Sequence, residues 1–121
     1  MRAFTHDRNK SQWLWTMMIL VPDWLSTDMV NQARASAGDK RELPALSGMR
    51  CEVYEEGLAV QVMHIGPYDD EGPILERMHN QFLPDQNLTF NGRHHEIYLS
   101  DPRRVAPEKL KTILRQPVRP M

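Results

Sequence analysis

Residues 94–104, HHEIYLSDPRR, constrain this chain more than any other stretch. The middle of the run alternates as a half-buried strand does, with Ile97 and Leu99 on one face and His94, Glu96 and Tyr98 on the other. A carboxylate among such good β-formers has two readings. Either its face meets plain solvent and Glu96 is an exposed strand residue, or that face is the floor of a pocket that wants a negative charge.

The rest of the chain supplies a sheet for this strand to join. Residues 12–21, QWLWTMMILV, crowd aromatic and apolar residues into a short run ended by Pro22. They read as a strand buried on both faces, with a ten-residue buried helix as the competing reading. Ser26 caps a helical pattern over 26–37, with Met29, Val30, Ala33 and Ala37 on one stripe and Gly38 as the stop. Two extended runs, GMRCEVYEEG and LAVQVMHIG, then meet at Glu55-Glu56-Gly57, where Gly57 can take the positive φ of a tight hairpin.

A second helix is expected over 69–82. Asp69, Asp70 and Glu71 sit where a helix N-terminus favours acids, Pro73 suits the first turn, and Ile74, Leu75, Met78 and Phe82 form the apolar stripe. After the strand of Glu96, APEKLK reads as one helical turn. TILRQPV reads as a final strand at a sheet edge, because Pro117 cannot donate to a ladder. Strands broken by two helices, with a hairpin, define an α+β domain with a mainly antiparallel sheet, helices on one face and the other face left open; if the helices at 26–37 and 69–82 cover the Ile97 and Leu99 face, Glu96 points into the opposite concavity.

Bulk properties narrow the function classes. The 121 residues suit one domain, and 15 basic against 16 acidic residues give no global pull towards nucleic acid or anionic lipid. No apolar run approaches the roughly 20 residues of a membrane-spanning helix, and no signal-like leader opens the chain, so a cytosolic location without membrane contact is the expectation. The single cysteine, Cys51, cannot form an internal disulfide.

Several chemistries find little support. His64, His79, His94, His95, Glu96 and Cys51 invite a metal, but adjacent strand histidines point to opposite faces and no HExxH or paired CxxC spacing occurs, so no metal or cofactor is expected. No nucleophile elbow or glycine-rich phosphate loop is present. The basic residues of the C-terminal segment, such as Arg103, Arg104 and Arg115, read as a solvated face. Were Glu96 buried, it would need a partner to stay ionised, and a lipophilic cation is a suitable one. Trp13, Trp15 and Tyr98 could then supply π faces, although core packing is the ordinary role of a tryptophan.

Taken together and in order, WLWTMMILVPDW, EEGLAVQVMHIGPYDDE and GRHHEIYLSDPRRVAPEKLKTILRQPV resemble the stand-alone GyrI-like proteins. That superfamily of small-molecule-binding domains also supplies effector-binding domains of multidrug-responsive transcription regulators. The resemblance spans about residues 10–119. It implies two strand-helix-strand-strand modules related by a pseudo-twofold axis, with a ligand cleft between them. It further implies a carboxylate at the base of the cleft, matched by Glu96 in HHEIYLS, and aromatic neighbours at positions matching Trp13, Trp15 and Tyr68.

On this resemblance, 49–118 is one complete module, whereas 12–37 is the last strand of a first module and its linking helix. A strand at 12–21 with an unpaired edge is a liability in a monomer, so a homodimer is expected. The functional expectation is a binding module for lipophilic cations or planar aromatics. Glu96 would be the anchor, Trp13, Trp15, Tyr68 and Tyr98 the lining, and His64 a further polar contact. With no helix-turn-helix pattern, it would not bind nucleic acid directly. The alternative is a hydrolase of cyclopropane-containing DNA-alkylating natural products, with Glu96 as general base and Tyr68 as the positioning group. A third reading is a structural remnant without ligand.

Overall fold

The computed structural model describes residues 14–121. Residues 14–55 belong to one compact unit and residues 56–121 to another.

In the first unit, helix α1 spans Thr27–Lys40, and Ser26 caps it by accepting a hydrogen bond from the Met29 amide. The helix runs through Gly38 rather than stopping there, ending where the Arg41 amide reaches the Ala37 carbonyl. None of its residues is fully buried, so the expected stripe is only partly covered. Residues 14–21 form no strand, and their apolar side chains stand out, Leu14 at 97% and Leu20 at 98% exposed. Apolar, extended sequence becomes a strand only when another edge hydrogen-bonds to it, and no described strand does so here. Residues 49–55 also lack strand structure, so the expected hairpin does not form, although Gly57 does take a φ of 71°.

The second unit is a four-stranded antiparallel sheet and one helical segment, in the α+β class expected. The strands are β1 (Ala59–Ile65), β2 (Leu88–Phe90), β3 (His95–Tyr98) and β4 (Lys111–Pro120). β4 pairs with each of the others. β1 occupies one edge of it, from Ala59↔Pro117 to Ile65↔Lys111, so β3 and β2 share the other.

Pro117 therefore lies inside the sheet, not at its edge. Its carbonyl accepts from the Asn91 amide on the side shared by β3 and β2. A residue's N–H and C=O leave a strand on the same side, so the missing N–H falls where β3 has ended at Arg115 and β2 has not begun at Val118. A proline there breaks no ladder bond.

The helical segment opens with a 3₁₀ turn, Tyr68–Asp70, and continues as α2 (Gly72–Arg77), a π turn (Met78–Phe82) and α3 (Leu83–Asp85). The Leu83 amide bonds to the Met78 carbonyl, five residues back. Pro84 has no amide to continue an α ladder, which accounts for the interruption. The extra residue shifts the stripe by one position. Leu75, Met78 and Leu83 are buried, while the expected Phe82 is 48% exposed.

Leu75 and Met78 pack on Leu114 at the middle of β4, flanked by Val60, Val62 and Ile74. Each side chain so buried contributes about 1.5–3 kcal/mol relative to exposure. This core fixes which sheet face the helix covers, and Leu114 lies directly across from both Val62 and Glu96.

Candidate functional site

Directly paired residues in an antiparallel sheet share a face. Glu96 opposite Leu114 therefore lies on the helix side, together with Tyr98 opposite Thr112. The expectation that Glu96 points to the face opposite the helix is corrected by this register. The residues on that opposite face are His95, Ile97 and Leu99, with Met63, Ile65 and Ile113 beside them.

Alternation does hold along the strand. His94, Glu96 and Tyr98 gather on one side, with the His94 Nε2 at 3.7 Å from the Glu96 Oε1. His95 turns the other way and reaches Glu56 Oε1 at 2.8 Å, while Arg115 reaches Glu56 Oε2 at 3.3 Å. Arg115 is thus engaged in the sheet rather than lying on a solvated basic face.

The Glu96 side chain is only 15% exposed. Tyr98 Oη donates to its Oε2 at 2.7 Å, the two-residue spacing placing donor and acceptor side by side. The Tyr98 ring meets Tyr68 edge to face at 5.4 Å. Tyr68 is delivered by the 3₁₀ turn after β1, which is tied down where His64 Nε2 donates to the Pro67 carbonyl at 2.9 Å. The next residue beyond that turn, Glu71, is 2% exposed and is among the groups that hold the Glu96 carboxyl down.

Behind this group lies His79, in the π turn, a local irregularity often found at functional sites. Its ring meets Phe90 edge to face at 5.0 Å and His94 at 6.1 Å.

These contacts set the charges. Burial by itself would raise the Glu96 carboxyl, but the His94 imidazole beside it, Glu71 and the Tyr98 hydrogen bond hold it down at about 2. Glu96 is therefore an anion at neutral pH. Burial, then the Glu96 hydrogen bond and charge, push the Tyr98 hydroxyl up, and burial with the charges of Glu71, Glu96 and Asp101 does the same for Tyr68. Both stay neutral donors. Burial first, and then the charge of His94, lower His79 to about 4, so it is neutral at physiological pH.

Of the residues expected at a ligand site, the structure brings Glu96, Tyr98 and Tyr68 together. His64 lies on the same sheet face but is held by the Pro67 carbonyl. Trp15 belongs to the unit of residues 14–55 and is 69% exposed, and Trp13 lies outside the described residues. Glu71 and His79 are additions that sequence reading did not place at the site. The acidic cluster 69–71 signalled a helix start, and nothing in it distinguished the one acid that turns inward. Among the described residues no three His, Cys, Asp or Glu side chains converge as metal ligands would. A separate shallow groove of about 570 Å³, lined by residues such as Asn31, Arg34 and Leu46, has Arg34 engaged with the Met49 carbonyl and contains no acid.

A mostly buried anion beside two tyrosines suits a domain that takes up small organic molecules. Over residues 25–119 the chain matches the GyrI-like small molecule binding domain, and it belongs to that family. Three solved structures from Listeria innocua are similar to it. One, a hydrolase, is 38% identical with a TM-score of 0.69 and is matched over 82% of this chain and 52% of its own. An uncharacterized conserved protein is 40% identical with a TM-score of 0.72, over 82% of this chain and 50% of its own. A further hydrolase is 39% identical with a TM-score of 0.69, over 82% and 50%. The chain thus spans about half the length of these structures. No curated protein matches it. No helix among the described residues is long and apolar enough to cross a membrane.

Proposed function

We propose that this protein binds lipophilic cations or planar aromatic molecules in the cytosol, as a sequestering or sensing module, with Glu96 as the anchor and Tyr68 and Tyr98 as the adjoining π surface. The observation that carries this reading is the Glu96 carboxylate, largely shielded from water and held ionised by its neighbours. A ligand cation brought to it finds a charge in a medium of low dielectric, and rings that add about 0.5–2 kcal/mol per contact. Titration of a fluorescent lipophilic cation tests it. Glu96→Gln should weaken binding by about 1.5–3 kcal/mol, the scale of losing a bond to a charged group. Equal affinity in the two proteins would reject the anchor.

A hydrolase reading is favoured by the names of two of the similar structures. Glu96 would take a proton from water as the oxygen bonds to a ring carbon; the ring C–C bond at that carbon breaks, its electron pair passes to the electron-withdrawing group conjugated to the ring, and that group takes up a proton, with Tyr68 positioning the substrate. Ring opening of a cyclopropane-containing alkylator, abolished in Glu96→Gln while binding persists, supports it. Wild-type turnover no faster than buffer rejects it.

For the assembly, residues 49–118 are read as one module and 12–37 as part of another. The exposed apolar run at 14–21 supports a homodimer that covers it. Light scattering should give twice the chain mass at micromolar concentration, and a monodisperse monomer would exclude the dimer.

A further inference from the structure

His94 stands beside the anchor. Its side chain is 1% exposed, and its Nε2 lies 3.7 Å from Glu96 Oε1. When the imidazole is protonated, the protein supplies its own cation to the carboxylate. We propose that His94 is an internal counter-cation that competes with the ligand for Glu96, so that uptake of each cationic ligand expels one proton from His94 to solvent. This deepens, and rests on, the reading of Glu96 as a cation anchor.

The step conserves charge. A proton leaves the ring nitrogen, the ligand's charge takes its place beside the carboxylate, and no covalent bond within the ligand changes. Two cations at one partly buried carboxylate repel each other, whereas a neutral imidazole remains a polar wall. The specificity that results is for permanently charged or strongly basic ligands at neutral and higher pH, with release as pH falls.

The other ionisable groups on this sheet face bear on the test. Glu96 and Tyr98 flank His94 on its own strand, Glu71 and His79 face it from the helical segment, Tyr68 from the 3₁₀ turn, and His64 lies on β1. β4 turns Thr112, Leu114, Gln116 and Val118 to this side, none of them charged, and β2 carries no charged residue. Asp101 acts on Tyr68 from the following loop. Burial and the charge of His94 hold His79 neutral, so His79 does not supply the expelled proton.

Tetraphenylphosphonium is a suitable probe because its charge does not vary with pH. Calorimetric titrations between pH 5.5 and 8, each in two buffers of different ionisation enthalpy, read affinity and proton release together. Wild-type affinity should rise with pH, by at most about tenfold per unit for one linked proton. In the lower part of the range about one proton should be released per ligand bound. His94→Gln should bind with affinity independent of pH and without proton release.

Saturable wild-type binding that is flat with pH would overturn the counter-cation and leave the anchor standing. An unchanged pH slope in His94→Gln would overturn it as well, assigning the proton to Glu71 or another group. Absence of saturable binding by folded wild type at every pH would remove the anchor and this inference with it. If His94→Gln does not fold, proton NMR of the wild-type His94 ring decides. Its titration midpoint must fall when the probe is present, and an unmoved midpoint refutes the competition.

Discussion

Replacing His79 with phenylalanine isolates the cost of keeping one buried imidazole neutral. In the folded protein His79 takes up a proton only near pH 4, against an ordinary value of 6.5. Below 6.5 the unfolded chain binds a proton that the folded chain refuses, so stability is complete above that pH and is lost as pH falls through 4. At roughly 1.36 kcal/mol for each pH unit, the loss across the window is on the order of 3 kcal/mol. That is a large part of the stability of a domain this size. Phenylalanine keeps the aromatic edge contacts to Phe90 and His94 and has nothing to titrate. Urea midpoints followed by far-UV circular dichroism at pH 7.5, 6.5, 5.5 and 4.5 should therefore fall more steeply for wild type than for His79→Phe. Glu96, lowered from 4.5 to about 2, is present in both proteins and gives both a common loss only below 4.5. Coincident slopes between 6.5 and 4.5 would refute the claim that burial holds His79 neutral.

Other perturbations probe separate layers. Leu114→Ala, at a fully buried position touching Leu75 and Met78, should cost about 2–5 kcal/mol in the same urea assay. Tyr98→Phe removes the 2.7 Å hydrogen bond to Glu96 and should raise the Glu96 titration above its present value near 2, read by carboxyl NMR. Gly57→Ala places a side chain at a φ of 71° and should destabilise by about 1–2 kcal/mol, seen as a lower urea midpoint. Ser26→Ala deletes the cap of α1 and should cost about 0.5–2 kcal/mol, read as reduced helical circular dichroism on warming.

Local patterns predicted the structure where local physics decides it. Alternation placed His94, Glu96 and Tyr98 together and sent His95 to the other side, and Ser26 marked the start of α1. The fold class followed from the order of such elements. Long-range pairing was less legible. The runs at 12–21 and 49–57 have strand composition, yet composition cannot name the edge that would pair with them. Pro117 looked like an edge marker because its neighbours, the end of β3 and the start of β2, lie more than fifteen residues away in the chain. The face of Glu96 depended on its register with Leu114, which no pattern within HHEIYLS contains. The extra residue of the π turn, which exchanges Phe82 for Leu83 in the core and turns His79 inward, departs from the period on which helix reading relies.

Because β1, β2 and β3 are all joined through β4, the order of synthesis matters to this sheet. During translation the first three strands emerge with no edge among them to pair with, and β1 waits for a partner about fifty residues further on. The unit of residues 56–121 can close only after residue 120 has cleared the ribosome. Until then the apolar side chains of β1 and the helical segment are open to chaperones or to neighbouring nascent chains.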